Sequence, residues 1–142
     1  MIFAGQDACA PVRSPEGRFH HSGQTAIYTS LTAEGTAVAI RRYVAPGEPP
    51  RVVAALDLAP IRVADHRGNP ALSVVWQDIR AAGERAPTWA WSDAARATGA
   101  QGLLYSSRSR PDLTHLVLFA VTDGMIRSVG PQLDAAPWLR PA

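Results

Sequence analysis

The sequence predicts an α+β protein, a single domain with a mixed β core and about three helices. Three observations carry that expectation. Short apolar runs such as Arg51–Leu58 and residues 116–121 are bounded by turn residues, as strands are. Helical stretches open on good capping residues, Thr32 and the pair Asn69-Pro70. The 142 residues, 46% apolar and 18% charged, are enough for one buried core and too apolar for a disordered chain.

Taken in order, residues 1–16 read as a loosely structured lead-in, with two Pro and one Gly and no periodic pattern. Residues 18–30 read as extended, with Arg18-Phe19-His20, a turn through Ser22-Gly23-Gln24, and a strand through Ala26-Ile27-Tyr28. A helix is expected over 32–44, with Glu34 in its first turn, an apolar stripe of Ala33, Ala37, Ile40 and Val44, and a stop at Pro46-Gly47. Strands follow at 51–58 and 61–64, then a second helix from Asn69 carrying Leu72, Val75, Trp76 and Ile79. A third helix runs over about 89–98 and ends at Gly99. Strands at 103–105, 116–121 and 125–129 precede a Pro-rich tail, 131–142. The whole chain, 1–142, reads as one domain of six or seven strands.

Composition excludes several chemistries. All fourteen basic residues are Arg, so neither a Schiff-base lysine nor a phosphate-loop lysine operates. A single cysteine, Cys9, permits no internal disulfide and no Cys-rich zinc site. His20-His21 lacks a third ligand at suitable spacing, so no metal is expected. The scattered arginines form no recognition helix, so no direct nucleic-acid contact is expected. No apolar run reaches the ~20 residues of a membrane span, and the N-terminus lacks the basic-then-apolar order of a secretion signal. A cytoplasmic, bacterial protein is the expectation.

Chemistry concentrates in two segments far apart in sequence. Residues 17–30 supply Arg18, His20, Tyr28 and Ser30, and residues 102–110 supply Ser107 within Tyr-Ser-Ser-Arg. Arg clamps phosphate with two parallel hydrogen bonds, Tyr offers a ring to stack on, and hydroxyls orient a polar ligand. An anionic, ring-bearing ligand fits that set. Simpler readings stand beside it: Arg18 paired with Glu16 or Asp57, Tyr28 as strand packing, Ser106-Ser107 as a polar turn. Trp89-Ala90-Trp91 reads as core and interface, and no companion motif gives His66 or His115 a role. No Gly-x-Ser-x-Gly elbow supports a serine hydrolase.

Gly17-Arg18-Phe19-His20, Tyr28-Thr29-Ser30, the Ala-rich helix and Gly102-Leu103-Leu104-Tyr105-Ser106-Ser107 together resemble the RES domain family, over about residues 17–121. That family is named for an Arg, a Glu and a Ser, and supplies toxins of bacterial toxin–antitoxin pairs. The resemblance implies a fold related to ADP-ribosyltransferases of the diphtheria-toxin kind. NAD is then the substrate, its nicotinamide–ribose bond is cleaved, and ADP-ribose passes to a protein side chain, phosphate or water. It also implies an Xre-like helix-turn-helix antitoxin as partner. Carried onto this sequence, it places Arg18, Phe19, His20, Tyr28, Ser30 and Ser107 around the nucleotide.

One member of the named set is missing. Threading Thr36-Ala37-Val38-Ala39-Ile40 onto the family's helix puts Ile40 where the Glu stands. Glu34 lies six residues earlier, about 120° away around a helix. It joins Arg18, Tyr28 and Ser107 as a candidate catalytic group, with Asp57 and Glu48 as other sources of a carboxylate. The missing Glu also keeps open a non-catalytic module that binds a nucleotide or a partner.

Overall fold

Seven strands divide between two sheets in the computed structural model, which describes residues 1–140. In chain order the elements are β1 (Ile2–Phe3), β2 (Ile27–Ser30), α1 (Ala33–Ile40), β3 (Arg51–Leu58), β4 (Val63–Asp65), α2 (Trp76–Ala81), α3 (Thr88–Ala97), β5 (Gly102–Ser106), β6 (Thr114–Leu118), β7 (Ile126–Asp134) and α4 (Ala136–Leu139). One sheet has the order β1-β3-β7 and the other β2-β6-β5-β4, the latter mixed because only β4 and β5 run parallel. The expected α+β class holds.

Register decides which side chains meet. Tyr28 pairs with Val117, Val117 with Leu103, and Leu103 with Ala64, which makes one row across the four-stranded sheet. Two residues along, Ser30, His115 and Tyr105 form the next row on the same face. The first row packs with Phe19, Leu72, Ala95 and Phe119. Residues of the opposite parity, Ile27, Leu116 and Leu118, pack with Met125 and Ile126. Both faces of this sheet are therefore buried, which explains the unbroken apolar run in β6.

Local expectations meet the structure unevenly. Thr32 caps α1, accepting from the Gly35 N–H at 3.0 Å, but α1 ends at Ile40 and a 3₁₀ turn occupies Arg41–Tyr43. Asn69 also caps as expected, accepting from the Ala71 N–H at 3.0 Å. The helix expected from there is broken, however, into a 3₁₀ turn, Pro70–Leu72, and α2. Ser73 and the β-branched Val74 and Val75 fall at the break, where nothing in helix propensity bridges the two turns.

The lead-in and the tail are more ordered than the sequence suggests. Ile2 pairs with Val52, so residues 1–16 begin with a sheet strand. β7 extends nine residues to Asp134, past an irregularity opposite Val53–Ala55, and α4 follows. Arg41 ties that end to α1 by donating to the Trp138 carbonyl at 2.8 Å.

Candidate functional site

Arg18 does not lie on a strand. The Gly17 N–H donates to the His20 carbonyl at 2.9 Å, closing a tight turn with Arg18 and Phe19 at its tip. Three side chains of α3 hold this turn by its own carbonyls. Trp89 Nε1 donates to Gly17 O at 2.8 Å, Thr88 Oγ1 donates to Arg18 O, and Arg96 Nη1 donates to Phe19 O at 2.8 Å. A Cβ on Gly17 would stand 2.5 Å from the His20 ring and 2.7 Å from the Tyr28 hydroxyl, so only glycine fits.

The Arg18 side chain is oriented just as firmly. Its Nη1 donates to Leu72 O at 2.9 Å and to Val74 O at 2.7 Å, the carbonyls freed where the expected helix breaks. Neither Glu16 nor Asp57 pairs with it: Glu16 holds Arg80 at 2.6 Å and Asp57 holds Arg127 at 3.0 Å. Burial pulls the Arg18 pKa down, and the guanidinium remains cationic at neutral pH. A half-buried cation fixed by two neutral carbonyls keeps its positive field for a ligand.

That field opens into a cavity of about 1380 Å³ along the β2 edge and between the sheets, lined also by α1 and the loop after β5. Sites for small ligands run ~300–1,000 Å³, so a dinucleotide has room. Arg18, Tyr28, Ser30, Tyr105, Ser107, Arg108 and His115 supply its polar wall, and Ile27, Leu116 and Leu118 part of its apolar wall.

Tyr28 and His20 are locked together. His20 Nε2 lies 2.8 Å from Ser14 O, and a carbonyl can only accept, so Nε2 carries a proton. In the neutral ring Nδ1 then accepts the Tyr28 hydroxyl proton, at 2.8 Å, while that hydroxyl accepts from the Phe19 N–H at 2.9 Å. Burial pushes the Tyr28 phenol up to about 12. His21 points elsewhere: it stacks on Trp89 and meets both Asp93 oxygens at 3.0 Å.

Ser107 is buried and lines the same cavity. Its N–H donates to Leu113 O at 2.9 Å, and its Oγ accepts from the Arg110 N–H at 3.3 Å, which shapes the loop after β5. The cavity therefore brings together Arg18, His20, Tyr28, Ser30 and Ser107, as the sequence reading grouped them.

Two expected site residues fall outside. Phe19 is fully buried and packs its ring edge-on against Tyr105, centroids 4.7 Å apart, because its apolar ring serves the core. Glu34 is exposed at the start of α1 and accepts from Arg110 Nη1 at 3.1 Å. It is absent from the cavity wall, whereas Ile40 is in it. Glu48 is engaged with Arg51 at 2.6 Å, also away from the cavity. The carboxylates that do line it are Asp7 and Glu16. Among the described residues no group of three or more His, Cys, Asp or Glu is placed to hold a metal ion, and no helix is long and apolar enough to cross a membrane.

Sequence reasoning missed Tyr105 and His115. Tyr105 and His115 sit in apolar-looking strands, and only register reveals that they share a row with Ser30. Their rings lie 5.2 Å apart. Ser30 Oγ is 2.5 Å from His115 Nδ1.

The family model for the RES domain matches residues 3–139, nearly the full chain. The chain belongs to the RES domain family. No curated protein matches it. In three dimensions this RES domain is similar to a chain in the crystal structure of the M. tuberculosis MbcT–MbcA toxin–antitoxin complex. The TM-score is 0.65 at 18% identity, over 96% of this chain and 82% of that one. At that identity the likeness speaks for the fold. The match also takes in Phe3 of β1 and all of α4, so the lead-in from Phe3 and the tail as far as Leu139 are parts of the RES domain.

Proposed function

We propose that this RES domain is the toxin of a toxin–antitoxin pair, an enzyme that cleaves the nicotinamide–ribose bond of NAD and transfers ADP-ribose to an acceptor. The observation that carries the reading is Arg18, a cation without a carboxylate partner among the described residues, fixed at the wall of a cavity roomy enough for a dinucleotide. In this reading its Nε and Nη2 groups take the pyrophosphate, and Arg108 adds a second positive charge from the loop after β5. Tyr28, its hydroxyl already committed, offers its ring to the nicotinamide. Ser107 hydrogen-bonds the ribose or the carboxamide.

The reaction passes through an oxocarbenium-like ribose, as glycoside cleavage does. The C1′–N bond breaks, and its electron pair leaves with neutral nicotinamide. An oxygen or nitrogen of the acceptor bonds to C1′ and gives up a proton. Arg18 and Ser107 bind and orient, while the apolar walls limit competing water. The test is to incubate the purified chain with NAD, phosphate and a cell lysate, following free nicotinamide and the labelling of proteins together. Nicotinamide release is expected, and labelling separates a protein acceptor from phosphate or water. NAD left intact under all three conditions contradicts the reading.

Ile40 in the cavity wall favours a second reading, a non-catalytic domain that binds a nucleotide or its partner. Saturable NAD binding without nicotinamide release distinguishes it. The fold neighbour was crystallised as a toxin–antitoxin complex, and by analogy an Xre-like antitoxin is the partner proposed for this chain.

A further inference from the structure

We propose that Ser30 and His115 form the proton-accepting couple of this site, with Ser30 touching the acceptor and His115 positioned behind it, in place of the carboxylate that Ile40 displaces. The inference rests on the NAD-cleaving reading above. Its geometric basis is the cross-strand row Ser30–His115–Tyr105, with Ser30 Oγ 2.5 Å from His115 Nδ1 at the cavity wall.

Elimination supports the choice. Glu16 is tied to Arg80, the ring nitrogens of His20 are both engaged, and Asp7 accepts the Cys9 N–H at 2.9 Å on the lead-in loop. Tyr28 and Tyr105 are held protonated by burial. His115 is the remaining cavity group with a nitrogen toward a reactive hydroxyl, the arrangement that activates oxygen nucleophiles.

In the neutral ring, Nδ1 accepts the Ser30 proton and leaves Ser30 Oγ free to accept from the acceptor. As the acceptor oxygen bonds to C1′ and nicotinamide departs with the C1′–N pair, the acceptor's proton passes to Ser30 Oγ. Ser30's own proton passes to His115 Nδ1, and the imidazolium later loses it to solvent.

Burial and the nearby Arg18 charge pull the His115 pKa down to about 4, so the ring is neutral and able to accept at neutral pH. The groups facing it are Arg18 from the 17–20 turn, Ser30 from β2 and Tyr105 from β5; the charged group on α1, Glu34, is occupied by Arg110. A pyrophosphate on Arg18 would offset its charge and raise the basicity of His115 when substrate is bound.

The test measures nicotinamide release against pH for wild type, Ser30→Ala, Ser30→Thr and His115→Asn, together with the NMR titration of the His115 ring with and without ADP-ribose. Asn preserves a hydrogen bond to Ser30 but takes no proton. Expected are about 10²-fold losses of kcat in Ser30→Ala and His115→Asn with KM for NAD little changed, most activity kept in Ser30→Thr, and loss of the acid limb in His115→Asn. ADP-ribose should move the His115 titration upward. If Ser30→Ala does not fold, His115→Asn decides. An active wild type with equally active variants and an unchanged pH profile overturns this inference alone. A wild type that releases no nicotinamide, with an unmoved His115 titration, overturns it together with the NAD reading.

Discussion

At Arg18 and His115 a few side-chain contacts decide what the site can bind. Among the described residues Arg18 is bound by carbonyls, not by a carboxylate, so its charge is not neutralised by them. His115 is its electrostatic counterpart, a base kept neutral partly because Arg18 is near. This has a measurable consequence for stability. The folded ring titrates at about 4 and an unfolded histidine at about 6.5, so between those values the unfolded chain binds the extra proton. Stability therefore rises with pH across that window and is lost as pH falls through it, by roughly 2–3 kcal/mol. Chemical denaturation of wild type and His115→Asn at pH 7 and pH 4.5 should show a steeper acid loss in wild type. Equal losses would mean that His115 titrates normally in the folded protein.

Among the elements, α3 matters most to the site, although it contributes no side chain to the cavity wall. Thr88, Trp89 and Arg96 take three consecutive carbonyls of the 17–20 turn, and the break before α2 supplies the two carbonyls that aim Arg18. Gly17 is where this arrangement is least tolerant of change. Gly17→Ala places a methyl against a buried ring and a buried hydroxyl, and should cost about 1–3 kcal/mol and separate His20 from Tyr28. Urea unfolding reads the first effect and nicotinamide release the second. A variant matching wild type in both would show that the turn can shift freely.

These elements also show why some features were legible in the sequence. The strand Arg51–Leu58 and the caps Thr32 and Asn69 depend on neighbours a few residues away, and the sequence carries them openly. The 17–20 turn reads as extended because the helix that bends it lies about seventy residues on. β1 leaves no mark in the sequence, because a two-residue strand has no period and its pairing with β3 spans some fifty residues. The sequence assigns His115 no role, because its meaning lies in register with Ser30 and Tyr105, which no local pattern encodes.

For the molecule as a whole, membership of the RES family and the α+β fold agree with what the short motifs implied. Of the residues the resemblance singles out, Arg18 and Ser107 line one cavity, Ile40, the position threaded onto the Glu, lies in its wall, and Glu34 stands outside. If the domain is a toxin, its expression without a cognate antitoxin should arrest growth, and Ser107→Ala should relieve the arrest at equal protein level. Arrest undiminished by Ser107→Ala would remove that serine from the toxic activity.

The most direct measurement compares nicotinamide release from NAD by wild type, Arg18→Lys and Arg18→Ala, with thermal unfolding confirming that each is folded. Release by wild type, a large loss in Arg18→Lys and a larger one in Arg18→Ala are the predicted results, because lysine keeps the charge and loses the two-pronged geometry. A folded Arg18→Ala chain that releases nicotinamide at the wild-type rate would contradict the account.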